Sequence, residues 1–192
     1  ELFPARMQNV ITSAGERLFE NISGSLNKEI MKNIFASGAG DLEELSLARV
    51  NLHVDSELKP QSLTTEEFAE IVRASIRILG RSRRIPGYFF PSDQPPSKLK
   101  KYWSLVEKSK NLEEGSLTFA VSSAWGNSVL QHIVQIDGLI LEKVGDLTWE
   151  CGNCRLRHHD RAAGFCVDCN AELQVDGQKI VNGPEDYYAY LA

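Results

Sequence analysis

No apolar run in this chain approaches the roughly 20 residues that a membrane helix needs. The opening residues ELFPARMQNV lack the apolar stretch of a secretory signal. We therefore expect a cytoplasmic protein with no membrane partner. The missing initial Met adds the expectation of a region belonging to something longer. Signatures of self-sufficient catalysis are missing as well. No G-x-x-x-x-G-K-[ST] phosphate loop occurs, and the glycines of ASGAGDLEE have no Lys at the needed place. H-E-x-x-H and G-x-S-x-G are absent, and no Ser, His or Asp has the spacing of a catalytic partner set. No activity is expected of this chain alone. Internal repeats and low-complexity tracts are also absent. A composition of 42% hydrophobic and 24% charged residues fits a soluble globular protein, and 192 residues suffice for one core with a smaller appended module.

Cysteine is scarce and confined to one stretch. All four lie in WECGNCRLRHHDRAAGFCVDCNAEL, as two Cys-x-x-Cys pairs separated by eleven residues. Disulfides suit small secreted chains, and no secretion signal is present. A redox pair needs only one Cys-x-x-Cys where a strand enters a helix. Zinc needs both pairs: each forms a tight knuckle presenting two sulfurs, and two knuckles close a tetrahedron. The spacing therefore predicts a structural Zn2+ held by Cys151, Cys154, Cys166 and Cys169. Four thiolates leave no open coordination position, so the metal should support the fold and not react. His158 and His159 are expected to be loop residues and not ligands. LTWE should deliver Cys151 as a short strand, and Asp176-Gly177 between alternating residues predicts a hairpin. Asn170 can take the left-handed backbone that such knuckles require, whereas Arg155 suits it less.

Net charge is −5, but it is unevenly spread. Residues 71–110 carry ten Lys/Arg against two acids, a net of +8, while the remainder nets −13. A basic block on an acidic protein points to an anionic partner, with a solvated helix face as the plainer explanation. Within it, GRSRRIPGYFFPSDQPPS mixes arginines, aromatic rings and prolines. That mixture suits single-stranded nucleic acid, through stacking and phosphate contacts. It also suits a loop pinned to the core by Tyr88, Phe89 and Phe90. The candidate nucleic-acid residues are Arg81, Arg83, Arg84, Tyr88, Phe89, Lys98, Lys100, Lys101, Arg155, Arg157 and Arg161. The last three have a second use open to them, offsetting the negative charge of a zinc–tetrathiolate site.

Apolar spacing predicts helices over 5–22 and 26–36, broken near Gly38 and Gly40. LSLARVNLHV reads as an imperfect strand. Thr64 and Glu67 form a capping box opening a helix to about Leu79, with Arg73 and Arg77 on its polar side. Ser97 is placed to cap a lysine-rich helix, KLKKYWSLVEKSK. From Ser116 onward LTFAV, VLQHIVQI and LILEKV read as strands, the last two joined at Asp137-Gly138. The expected class is α+β: a helix-rich first half and a β-rich second half with a C-terminal four-cysteine zinc ribbon. The expected division is a helical or mixed region over 1–115, containing the basic segment, and a β-rich region over 116–192, with the ribbon over 148–182.

Trp149, the four cysteines and the later stretch DYYAYLA (186–192), taken together, resemble a zinc-binding segment of large bacterial superfamily 2 helicases of the DEAD/DEAH type. That group includes anti-phage defence helicases of Druantia-like and DISARM-like kinds. The resemblance covers about a quarter of the chain and leaves residues 1–115 unmatched. It implies an accessory region of an ATP-dependent DNA or RNA translocase, whose ATP-binding motor lies elsewhere in the full-length chain. The implied partners are those motor domains and a nucleic acid, single-stranded in preference. The competing expectation is a zinc-ribbon module that binds protein and has no nucleic-acid role.

Overall fold

The computed structural model describes residues 5–35, 41–54, 56–86, 88 and 94–179, with side chains of the first helix described from Gly15 onward. Phe89, Phe90 and the stretch 186–192 lie outside the described residues. The first element is one helix, α1 (Ala5–Phe35), and not two. Gly15 and Gly24 sit inside it; a mid-helix glycine costs about 1 kcal/mol relative to Ala, which is too little to force a break.

The core is organised on α2 (Thr65–Arg81), in which every residue from Ile71 to Gly80 is buried. Its start is the expected capping box. Thr64 Oγ1 accepts from the Glu67 N–H at 3.2 Å, and the Thr64 N–H donates to Glu67 Oε2 at 2.9 Å. Phe35, at the end of α1, lies flat against Gly80. A Cβ there would sit 2.2 Å from the ring, so only glycine permits this approach. Helix α3 (Ser97–Ser109) lays Leu99, Tyr102, Trp103 and Val106 on α2. Trp103 donates its indole N–H to Ser75 Oγ at 2.9 Å, and Ser75 in turn donates to the Ile71 carbonyl at 2.7 Å, so this buried polar pair is satisfied. Pro96 holds the N-cap position of α3, and Ser97 is its first helical residue with no side-chain cap, contrary to the capping role expected for it.

LTFAV is helical, within α4 (Ser116–Trp125). Leu117, Ala120, Val121, Ala124 and Trp125 are its buried residues, a 3–4 spacing that faces α2 and α3. Buried Glu107 supplies the missing cap by accepting the Leu117 N–H at 2.9 Å. Packing and this long-range cap thus override the strand preference of the local composition.

The strands are short. β1 (Arg49–Asn51) is the part of LSLARVNLHV that is extended, and it pairs antiparallel with β4 (Ile140–Glu142). VLQHIVQI folds back on itself, as β2 (Val129–Leu130) and β3 (Ile133–Val134). Gln131 and His132 both have positive φ, 51° and 60°, as a two-residue primed turn demands. The Asp137-Gly138 turn forms, but it joins two different sheets instead of closing a hairpin. The last sheet has the order β6–β5–β7, from β5 (Leu147–Glu150), β6 (Arg157–His158) and β7 (Gln178–Lys179). Helices therefore dominate up to Trp125 and strands after Val129, with β1 as the exception. One apolar cluster runs from Met31 to Leu173, with members on both sides of residue 115.

Arg73 and Arg77 do not form a polar face on α2; with Arg81 they form a buried ladder at helical spacing. Arg73 meets Asp160 at 2.9 Å and Glu66 at 3.1 Å. Arg77 meets Glu43 at 2.7 Å and Asp41 at 3.2 Å. Arg81 meets Asp41 at 2.8 Å and Glu44 at 3.1 Å. Truncating Arg77 would strand Glu43, while Asp41 keeps Arg81, a loss of about 3–5 kcal/mol for a buried pair, whereas losing an exposed cap costs about 1 kcal/mol. Chemical denaturation should therefore separate Arg77→Ala, with a loss of several kcal/mol, from Thr64→Ala, with a loss of about 1 kcal/mol.

A four-cysteine candidate metal centre docked on the helices

The four cysteine sulfurs lie within 4.8 Å of one another and are free thiols. Cys151 and Cys169 are 3.5 Å apart, as are Cys154 and Cys166. Disulfide sulfurs would be about 2.05 Å apart. The sulfur–sulfur edge of a tetrahedron with bonds of about 2.3 Å is about 3.8 Å, which these separations approach.

Both knuckles are built alike. In the first, the Arg155 N–H donates to the Cys151 carbonyl at 2.9 Å and the Cys151 N–H to the Leu156 carbonyl at 2.9 Å. In the second, the Asn170 N–H donates to the Cys166 carbonyl at 3.0 Å and the Cys166 N–H to the Ala171 carbonyl at 2.8 Å. Arg155 (φ 64°) and Asn170 (φ 61°) both adopt the left-handed conformation, so Arg155 accepts the strain expected to disfavour it. Burial pushes the Cys154 thiol up to about 11 and that of Cys166 higher still. Against its own burial, hydrogen bonds from Asn153 and the Ala171 backbone draw the Cys169 thiol down to about 6, and four sulfurs gathered in this way fit a soft metal ion.

The centre is fastened to the helices by side chains far away in sequence. Tyr102 donates to the Ala162 carbonyl at 2.9 Å, and the Ala163 N–H donates to Glu70 at 3.2 Å. Asp160 takes Arg73. Asp168, inside the second knuckle, takes Lys98 at 2.8 Å and Arg81 at 3.7 Å. Arg77 also donates to the Arg157 carbonyl at 3.0 Å. On the outer side, Gly177 lies beneath the Trp149 ring, where a Cβ would sit 2.9 Å from ring carbons. Among the described residues the expected hairpin at Asp176-Gly177 does not close, and β7 pairs with β5 instead.

His158 and His159 are buried and belong to no metal cluster among the described residues. They are docking residues, not the loop residues expected. His158 Nδ1 lies 3.5 Å from Arg77 Nη1, and the His159 N–H donates to Glu43 at 3.3 Å. Burial, then the charge of Arg77, holds His158 well below the usual imidazole range and His159 at about 4. The same burial pushes Glu43 up to about 7, despite Arg77 beside it. Asp41, Glu43, Asp160 and Asp168 were not singled out in the sequence, which carries no local signal for them.

The candidate nucleic-acid residues do not gather on one surface. Arg81 is nearly buried and is committed to Asp41, Glu44 and Asp168. Lys98 is paired with Asp168. Arg84 donates to the Gln94 carbonyl at 3.3 Å. Arg155 pairs with Glu150 at 3.0 Å, Arg161 donates to the Gln174 carbonyl at 3.2 Å, and the Arg157 side chain is exposed. Tyr88 is half-buried between Lys28 and Arg83, at 5.6 and 6.0 Å. Lys100, Lys101 and Lys108 are exposed on α3 and enter none of the ion pairs among the described residues. No helix is long and apolar enough to cross a membrane among the described residues.

Comparison with protein-family models, with curated proteins and with solved structures gives no match to this chain. The resemblance to helicase zinc segments thus has no matching relative behind it.

His159 makes stability depend on pH. Its folded pKa of about 4 lies below the unfolded value of about 6.5, so its contribution is full above pH 6.5 and is lost as pH falls through 4. Its limit is about 3 kcal/mol. Glu43 works in the opposite direction between about 4.5 and 7, so the variant isolates the histidine. His159→Gln should unfold with a visibly shallower loss of stability between pH 6.5 and 4 than the parent. Equal slopes would show that the imidazole is not held neutral.

Proposed function

We propose that this chain is a zinc-stabilised accessory domain of a nucleic-acid helicase or translocase, contributing phosphate contacts and packing against a motor in the full-length protein. The supporting observation is the set of bases left over once the internal pairs are made. Lys100, Lys101 and Lys108 share one face of α3 with no ion-pair partner among the described residues, and Arg83 is exposed at the end of α2. The footprint is thereby reduced to α3 and Arg83; Arg81 belongs to the interior. Zinc is the metal proposed for the four thiolates, since tetrahedral sulfur sites take zinc or iron. Its part would be structural, with the Cys151 and Cys166 knuckles holding Asp160 and Asp168 against α2.

A second reading, a protein-interaction module without nucleic acid, is favoured by the internal neutralisation of the basic block. Five of its ten bases (Arg73, Arg77, Arg81, Lys98 and Lys110) are ion-paired with carboxylates from outside it. The salt dependence of binding separates the two readings.

Elemental analysis of reduced protein should give one zinc per chain and a colourless solution; iron would colour it. Chelation should lower the melting temperature of the α-helical signal too, because Asp160 and Asp168 would no longer be held against Arg73 and Arg81. Survival of the helical transition unchanged would show that the ribbon is dispensable.

For binding, titrations of single-stranded oligonucleotide from low salt upward should show the logarithm of affinity falling by about 0.7 per phosphate contact with the logarithm of salt. Replacing Lys100, Lys101 and Lys108 together by Ala should flatten that slope by about 2. No binding at low salt, or an unchanged slope in the triple variant, favours the interaction module.

A further inference from the structure

Helix α1 has two faces of unequal fate. Among its described side chains, only Met31, Ile34 and Phe35 are buried against the body of the protein. Leu18, Phe19, Ile22, Leu26 and Ile30 are 60%, 73%, 58%, 57% and 37% exposed. These are not scattered residues: Leu18, Ile22, Leu26 and Ile30 recur every fourth position along about 18 Å of helix, and Phe19 flanks the row. A contiguous apolar row on a helix that projects beyond its own core marks a contact surface.

Three observations choose the occupant. First, the row is its own complement. Positions 18, 22, 26 and 30 are symmetric about residue 24, so a two-fold axis there sets Leu18 against Ile30 and Ile22 against Leu26, as an isologous contact requires. Residues four apart form the ridges that pack into one another at a crossing angle of about 50°, so two copies of the row can interlock directly. Second, charge does not draw a different class of partner. Residues 15–35 hold three acids (Glu16, Glu20, Glu29) and three bases (Arg17, Lys28, Lys32), a neutral set that favours neither a polyanion nor an acidic membrane surface. Third, the size fits. The exposed parts of the five side chains amount to roughly 500 Å² per copy, so a symmetric contact buries roughly 1,000 Å², the lower bound for a specific interface. The body packs only on the last turns of α1, and a two-fold axis at residue 24 carries the second body to the opposite end, away from the first.

We infer that α1 is a self-association helix: the chain forms an antiparallel homodimer through Leu18, Phe19, Ile22, Leu26 and Ile30 of each copy. This stands apart from the nucleic-acid reading, since it uses the opposite surface chemistry and none of the lysines of α3. An interface of this area should give a Kd of about 1–100 μM.

The test is sedimentation velocity of the metal-loaded 192-residue chain over a concentration series spanning that range. The parent should shift from monomer to dimer, and Ile22→Glu with Leu26→Glu should remain monomeric throughout. These side chains lie outside the core, so the variant should keep its helical circular dichroism and its metal. Phe119→Glu, at the most exposed aromatic residue on α4, should leave the dimer intact. A parent that stays monomeric at the highest concentration overturns the proposal, as does a double variant that still dimerises. Loss of the dimer in Phe119→Glu with retention in the double variant would place the interface on α4 and overturn it equally.

Discussion

Three guanidinium groups inside the protein set the terms for everything packed around them. Removing an arginine from water costs several kcal/mol, and only well-placed carboxylates and carbonyls offset it. Arg73, Arg77 and Arg81 obtain these from three separate pieces of chain: the turn at 41–44, the β6 region at 157–160, and Asp168 inside the second cysteine knuckle. None of those pieces is near α2 in sequence, and two belong to the cysteine-rich segment. The cysteine-rich segment therefore completes the pairing that residues 41–44 begin on the inner face of α2, and α2 in turn supplies that segment with its anchoring charges. A buried charge network of this kind also specifies one arrangement, because any shifted docking leaves a charge unmatched.

This clamp explains how the cysteine centre bears on function. With a metal held by all four sulfurs the site would offer no position for substrate, and polar groups beside it are engaged in docking. What the metal would stabilise is the placement of Asp160 and Asp168, and through them the packing of α2 and the start of α3. Surface properties are then left to whichever groups the interior did not consume. On α3 these are lysines; on α1 they are aliphatic and aromatic side chains. The two surfaces differ in kind, one suited to phosphate and the other to an apolar helix, and neither involves the cysteines.

Features governed by short-range geometry were readable before any fold was known. Two Cys-x-x-Cys pairs converge because each knuckle closes through hydrogen bonds only a few residues long, and Thr64 and Glu67 cap α2 through a contact three residues apart. The α+β character and the position of the sheet around Cys151 were readable in the same way. LTFAV was not, because its β-branched and aromatic residues favour a strand locally, while burial against α2 and α3 and the Glu107 cap decide for a helix. VLQHIVQI hid its turn because Gln131 and His132 take left-handed conformations without any glycine to announce them.

The arginines show where the sequence stops being informative. By itself it determined the convergence of the four cysteines, the capping of α2 and the helical spacing of Arg73 and Arg77, all of which follow from local backbone geometry. Whether that arginine stripe faces water or the interior is a matter of which acids reach it. Those acids lie 36 residues away at Asp41 and 87 at Asp160, separations over which spacing carries no signal. Only the tertiary structure brought them together. It turned the arginines of α2, part of an apparently phosphate-seeking charge block, into an internal clamp, because a buried guanidinium is stable only where opposite charges have been assembled around it.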